Sequence, residues 1–346
     1  MKAAVMTNLR EITVQDYPMP QVGEQDVLVK VMHCGVCGSD LHYFSAGRIG
    51  DYVVDKPMIL GHECAGEVVE VGPGVKQISV GDRVAIEPGY TCGKCEFCKS
   101  GHYNLCKDVV FMATPPYDGA FCEYVSYPAD VVYKLPPEMS TVEGALLEPL
   151  NVGFYAAQQG GASVGKSAAV LGAGCIGLCT VMALTAMGVR EIYVVDLVPL
   201  RLEMAKKVGA LRTIHAGEED AVSVILEATH GRGVDMVFET AGSVPTGQMT
   251  VKLARRGGTV VMVGMAPNAT YPYDFGTFID HELTMKSVFR YRNLYPTAID
   301  AVVRCGLPLK EIVTHYYDLE HTQEAVAFNL DHKDQVVKTV IEVCKG

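Results

Sequence analysis

The rhythm of apolar and polar positions changes near residue 150. Before it, short β-branched runs such as Val27-Leu28-Val29-Lys30-Val31 and Glu67-Val68-Val69-Glu70-Val71 alternate with turns. That pattern predicts strands, punctuated at Gly72-Pro73-Gly74 and Gly81-Asp82. Beyond it, apolar strands at 168–172, 192–196, 234–240 and 258–264 alternate with helical runs at 200–209 and 245–254. The second helical run opens on Pro245, which suits a first helical turn. This is a βαβ rhythm and predicts a parallel sheet. After Val288 the alternation stops; helical runs at 296–305 and 320–328 lead to a last β run at 336–343. Residues 167–189 carry no charge over 23 positions, long enough to span a bilayer. Three glycines in six residues and flanking β segments make this a buried strand, turn and helix instead.

With 346 residues, two domains are expected. The net charge of -11 argues against nucleic acid or an anionic membrane as the main partner. Residues 1–17 hold no continuous apolar stretch and do not read as a signal peptide. Of 12 cysteines, four cluster and the rest scatter, as expected of reduced cytoplasmic thiols rather than a disulfide scaffold.

The four are Cys92, Cys95, Cys98 and Cys106, with two, two and seven residues between them. Repeated C-x-x-C turns bring thiolates together on one tetrahedral ion, so this stretch predicts a zinc lobe. Four thiolates fill such an ion and leave no position for substrate. Gly172-Ala173-Gly174-Cys175-Ile176-Gly177 is a G-x-G-x-x-G that follows one strand and opens a helix. The next strand ends in Asp196, 19 residues after Gly177. This is the dinucleotide fingerprint of a Rossmann domain. Asp196 offers acceptors to both ribose hydroxyls and repels a 2′-phosphate. Leu197 stands where a phosphate-binding Arg would sit, and Arg201 lies near the adenosine side. NAD is therefore expected over NADP.

A fainter metal signal lies in Cys37-Gly38-Ser39-Asp40 and Gly61-His62-Glu63, which offer thiolate, imidazole and carboxylate. Three protein ligands leave a coordination position open. Glu148 falls where the β half gives way to the βαβ half. His33, Cys34 and Cys175 read as packing residues, Phe111 equally as core or as pocket lining, and His102 as a bystander to the cysteine quartet.

Together these motifs identify a family. The chain resembles the zinc-dependent medium-chain dehydrogenases over its whole length, through Cys37-Gly-Ser-Asp-Leu-His42-Tyr43, Gly61-His-Glu63, the cysteine quartet, Gly172 to Gly177 and Asp196. It is most similar to the sorbitol (polyol, L-iditol 2-) dehydrogenases through Ala113-Thr-Pro-Pro-x-Asp-Gly119, Leu147-Glu-Pro-Leu150 and Val288-Phe-Arg-Tyr-Arg-Asn-Leu-Tyr-Pro296. The resemblance implies an α/β protein: a GroES-like β-rich catalytic domain from 1–149 and 289–346, with the zinc lobe at about 88–110, and a doubly wound Rossmann domain at 150–288. It implies a catalytic zinc on Cys37, His62 and Glu63, with Glu148 reaching it directly or through water. Ser39 and His42 match proton-relay positions. Tyr43, Glu148, Arg290 and Tyr291 match substrate contacts. Ile176, Val263, Gly264, Met265, Val288, Phe289 and Arg290 match cofactor-lining positions, beside Gly172, Gly174, Gly177, Asp196 and Arg201.

The implied activity is oxidation of a polyol secondary hydroxyl, sorbitol-like, to the ketose, with hydride transfer to NAD and two zinc ions per chain. A homotetramer is implied by the resemblance alone. The rival substrates are other polyols or diols (xylitol, ribitol, butanediol) and threonine. The rival class is a non-catalytic, crystallin-like structural relative.

Overall fold

The computed structural model describes residues 1–265 and 270–344. The chain divides into two compact units: Met1–Glu148 with Tyr295–Ile299 and Leu309–Gly346, and Pro149–Leu294 with Asp300–Pro308.

The first unit is built on the long strand Asp26–Val36. One of its edges pairs antiparallel with Glu63–Val71. The other edge is shared: Tyr124–Pro128 runs beside residues 26–30, and Lys338–Glu342 beside residues 33–36. Outer strands Arg83–Ile86, Val132–Lys134 and Val313–Asp318 complete a seven-stranded sheet. Val27, Val29, Val31, Cys34 and Val36 of the central strand all enter one hydrophobic core with Phe44, Leu60, Ile86 and Phe121. Val27, Val29 and Val31 alternate onto one face, and the register shift between Val31 and His33 returns Cys34 and Val36 to it.

The second unit carries six parallel strands in the order Arg212–His215, Glu191–Asp196, Ser167–Leu171, Val234–Glu239, Ala254–Met262 and Thr284–Ser287. Numbered along the chain, this order is 3-2-1-4-5-6, the doubly wound dinucleotide topology. Every residue of Ser167–Leu171 and Val234–Glu239 is buried. The uncharged stretch divides as expected into the strand Ser167–Leu171, a glycine turn and the helix Cys175–Ala186, buried from Gly177 to Leu184. Among the described residues no helix is long and apolar enough to cross a membrane.

Most strands and helices fall within one or two residues of the sequence reading. The strand expected at 258–264 begins earlier, at Ala254, with a register shift opposite Val234 and Met236. Arg255, Arg256, Gly257 and Gly258 look like a turn, but the strand absorbs them through this irregularity. The final strand is confined to Lys338–Glu342.

Candidate functional site

The strand Asp26–Val36 delivers Cys37 directly to the start of the helix Gly38–Ala46. Asp40, three residues on, accepts the Cys37 N–H at 2.9 Å through Oδ2, closing the helix N-terminus. Its Oδ1 accepts the Gly61 N–H at 3.0 Å. One wholly buried carboxylate thus ties the Cys37 turn to the Gly61-His62-Glu63 segment. The same Oδ1 lies 3.9 Å from His62 Nδ1. Donor atoms of Cys37, His62 and Glu63 all fall within 4.8 Å of one another.

Electrostatics show what this cluster lacks. Burial alone would lower the His62 pKa, but the Cys37 thiolate, then Asp40 and Glu148, outweigh it and push the imidazole up to about 10. Burial raises the Asp40 pKa, against the pull of His62 and the Cys37 and Gly61 N–H groups. Several acidic groups around one buried imidazole form a donor set short of positive charge. A divalent ion supplies that charge, and thiolate, imidazole and carboxylate are zinc donors, so the residues fit the metal. Asp40 stands to His62 as the outer carboxylate that orients a metal-bound imidazole. The His62 and Phe111 rings lie 5.6 Å apart.

Glu63 has a second partner. Its Oε2 forms an ion pair with Lys338 Nζ, and both side chains are almost wholly buried. Glu148 is buried on the helix Thr141–Gly160, immediately before Pro149. It acts electrostatically on His62 but stands outside the three-donor group. On the helix after Cys37, Ser39 is half-buried, His42 exposed and Tyr43 buried. No hydrogen bond joins Ser39 to His42 among the described residues.

The cysteine quartet is a separate centre. Sγ atoms of Cys92 and Cys98 lie 3.9 Å apart, Cys95 and Cys98 3.4 Å, and Cys92 and Cys106 3.6 Å. Cys95 caps the one-turn helix Glu96–Lys99, its sulfur accepting the Cys98 N–H. Backbone N–H groups of Lys94 and Cys95 lower the Cys92 thiol to about 7, whereas burial pushes Cys106 up to about 11. Four convergent sulfurs, one already poised to ionise, fit a closed tetrahedral zinc. His102 Nδ1 is engaged with Ser100 instead, at 3.0 Å from its carbonyl.

In the second unit Gly172 adopts φ +101, and a Cβ there would meet Ala241 at 2.9 Å. A Cβ on Gly177 would lie 1.9 Å from the Gly172 carbonyl, whereas Gly174, capping the helix Cys175–Ala186, has nothing within 4 Å. Two glycines hold the turn tight and the third leaves its surface open, which fits an approaching pyrophosphate. Ile176 is half-buried in the first helical turn. Asp196 accepts the Ala173 N–H at 2.6 Å through Oδ2, and those of Leu197 and Val198 at 2.7 and 2.9 Å through Oδ1. Arg201 lies on the helix Pro199–Lys207, which opens three residues after Asp196.

The neighbouring strand end is braced by Glu239, also buried. Its carbonyl accepts the Val263 and Gly264 N–H groups, and its Oε1 those of Ala241 and Gly242. Met265 is exposed. The Val288 N–H bonds the Met262 carbonyl at 3.0 Å. Arg290, at φ +55, places its guanidinium 4.9 Å from the ring of half-exposed Phe289, and Tyr291 is buried.

Three residues of these networks escaped the sequence reading. Asp40 carried a signal, a carboxylate at the N3 position of a helix. Glu239 showed only a polar residue ending an apolar strand. Lys338 carried none.

A family model described as an alcohol dehydrogenase GroES-like domain matches residues 23–137, and one described as a zinc-binding dehydrogenase matches residues 175–304. The sorbitol dehydrogenase of Bacillus subtilis (strain 168) is 47% identical over 341 residues, covering 99% of this chain and 97% of that protein. A crystal structure of an Escherichia coli oxidoreductase/dehydrogenase of unknown specificity superposes with a TM-score of 0.95 at 41% identity, over 99% of each chain. The structure of 2R,3R-butanediol dehydrogenase from Bacillus subtilis does so with 0.90 at 33% identity, again over 99% of each chain.

Proposed function

The chain belongs to the zinc-dependent medium-chain dehydrogenases, and on that premise we propose that it oxidises a secondary hydroxyl of a sorbitol-like polyol to the ketose, passing hydride to NAD. The observation that carries this reading is the convergent donor set of half-buried Cys37 and buried His62 and Glu63, with the Glu148 carboxylate close by but outside it. Three ligands leave a position for a substrate oxygen, and the Glu148 carboxylate beside them is placed to meet a water or hydroxyl.

Zinc bound at Cys37, His62 and Glu63 supplies Lewis acidity that favours loss of the hydroxyl proton, and NAD supplies the hydride acceptor. The chain's own residues do the rest. Asp40 holds the Cys37 and Gly61 backbones and orients His62. Glu148 takes the hydroxyl proton, through a bridging water, and contacts the substrate. A relay through Ser39 and His42 is the second route. Tyr43, Arg290 and Tyr291 are assigned to the remaining polyol hydroxyls, because a site built to bond hydroxyls rejects molecules that lack them. The reaction balances as polyol plus NAD+ giving ketose, NADH and a proton.

Asp196 supports NAD over NADP, since its carboxylate repels a 2′-phosphate. We assign a second, structural zinc to the cysteine quartet, giving two ions per chain. None of the twelve cysteines is in a disulfide among the described residues, which suits a reducing cytoplasm. Self-association, as a homotetramer, is supported by the exposed edge strand Thr284–Ser287, with Met285, Phe275 and Ile279 exposed around it.

A panel of polyols, diols, threonine and simple alcohols, followed by NADH absorbance, tests the activity. Activity on 2,3-butanediol but on no polyol would favour the second reading, which rests on the superposition with the butanediol enzyme. No activity on the whole panel would favour a non-catalytic relative. Near-wild-type turnover in Glu148→Ala or His62→Ala would overturn the assigned roles.

A further inference from the structure

A buried lysine bonded to a metal-binding carboxylate needs a reason. Lys338 is 2% exposed and Glu63 1%. The register explains how they meet. In one direction Gly35 lies opposite Glu63, and in the other Val36 lies opposite Thr339. Lys338 therefore begins its strand across from the end of Asp26–Val36, with Glu63 on the far side. Gly35 leaves the space between them: a Cβ there would fall 2.0 Å from Glu63 Oε2 and 2.9 Å from Lys338 Cε. The ammonium also donates to the Val36 carbonyl at 3.0 Å.

From this geometry we propose that Lys338 is a positioning residue: it occupies Oε2 of Glu63, leaves only the other oxygen to the metal, and holds the site one charge more positive. This deepens the metal-site reading given above and rests on it. A dication with the Cys37 thiolate, the Glu63 carboxylate and a neutral His62 sums to zero over the ligands alone. The Lys338 ammonium adds one positive charge to surroundings that also hold the buried Asp40 and Glu148 side chains.

Two consequences follow. Without metal, Lys338 is what compensates the buried Glu63 charge, so the carboxylate stays in place. With metal, Lys338 and the ion compete for one carboxylate, so zinc is held less tightly than bare donors would hold it. Removing Lys338 therefore weakens the metal-free protein and strengthens its grip on zinc. A residue that merely packed would weaken both forms equally.

The test compares wild type, Lys338→Met and Lys338→Arg at one pH. Zinc is removed with a chelator and added back; ions per chain, melting temperature and the rate of zinc loss to the chelator are read. In Lys338→Met the metal-free form should melt lower than metal-free wild type, the upward shift on zinc addition should be larger, and the more labile ion should leave at least threefold more slowly. Lys338→Arg should follow wild type. If Lys338→Met does not fold without metal, the double variant Glu63→Gln/Lys338→Met decides: its metal-free form should recover stability, since no charge is left unpaired. Equal shifts in wild type and Lys338→Met, faster zinc loss, or no recovery in the double variant overturn the proposal. Wild type holding only one ion, and none once Cys98 is replaced by serine, would instead sink the catalytic-metal reading itself.

Discussion

Replacing Asp40 by alanine strips the acceptor from two backbone N–H groups at once, one buried and one half-buried. The carboxylate takes Cys37 N–H at 2.9 Å and Gly61 N–H at 3.0 Å, and the side chain is wholly buried. Each orphaned buried donor costs about 1–3 kcal/mol. Part of the Cys37 term is the helix N-terminus, which alone is worth about 0.5–2 kcal/mol. Taking the middle of these ranges, Asp40→Ala should destabilise the first unit by about 3–4 kcal/mol. For a unit of this size that is a fall in Tm of roughly 6–16 °C. Asp40→Asn keeps one oxygen acceptor, so about half the loss is expected. Because Asp40 also stands 3.9 Å from His62 Nδ1, the alanine variant should lose the zinc at Cys37, His62 and Glu63 while the cysteine quartet keeps its own. Differential scanning fluorimetry and metal analysis read both effects. An Asp40→Ala protein melting within 2 °C of wild type and holding full zinc would refute the assignment of Asp40 as the clamp between the two ligand segments.

Other outcomes follow from single side chains. Cys98→Ser should lower zinc content by one ion per chain and leave NAD binding intact; two retained ions would remove the structural zinc from the quartet. Asp196→Asn should lower the ratio of NAD to NADP catalytic efficiency by roughly tenfold, read from initial rates with each cofactor; an unchanged ratio would end the assignment of Asp196 as the discriminating group. Gly177→Ala should abolish cofactor binding in a titration, because its Cβ has only 1.9 Å to the Gly172 carbonyl. Asp235 concerns stability alone. Burial raises its pKa, but the Ser167 N–H, Arg255 and the Ser167 hydroxyl outweigh it and hold the carboxyl below its ordinary value. A depressed native pKa contributes stability that is present above the unfolded value, about 3.9, and is lost as pH falls through the native one. The stability gap between wild type and Asp235→Asn should therefore be full at pH 7 and close in strong acid. A gap independent of pH would contradict it.

The sequence exposed what is local. Gly172, Gly174 and Gly177 sit within six residues and between two recognisable strands, so the turn and Asp196 could be read without a fold. The cysteine quartet spans fifteen residues and needs no long-range contact to declare itself. Cys37 and His62 are separated by 24 residues and became readable only through the resemblance to a family. Asp40 showed only its local half, a carboxylate at the third position of a helix, and not its bond to Gly61. Lys338 stayed dark for a physical reason, since its role depends on strand register: Gly35 opposite Glu63, and Thr339 opposite Val36. A one-residue slip would turn Lys338 to the other face of its strand. No spacing in the linear chain records that choice.

The place of the strand Lys338–Glu342 has a further consequence for how the protein is made. The second unit is drawn mainly from one continuous stretch, Pro149–Leu294. It can complete its parallel sheet while the last fifty residues are still being synthesised. The first unit cannot. Residues 33–36 of its central strand keep an unpaired edge until Lys338–Glu342 arrives from more than three hundred residues downstream. Until then that edge is open to the wrong partner, and Glu63 has no ammonium beside it. The unit synthesised first is thus the one that finishes last, and a ribosome stalled before residue 338 would release a chain with a formed nucleotide-binding sheet and an incomplete metal site.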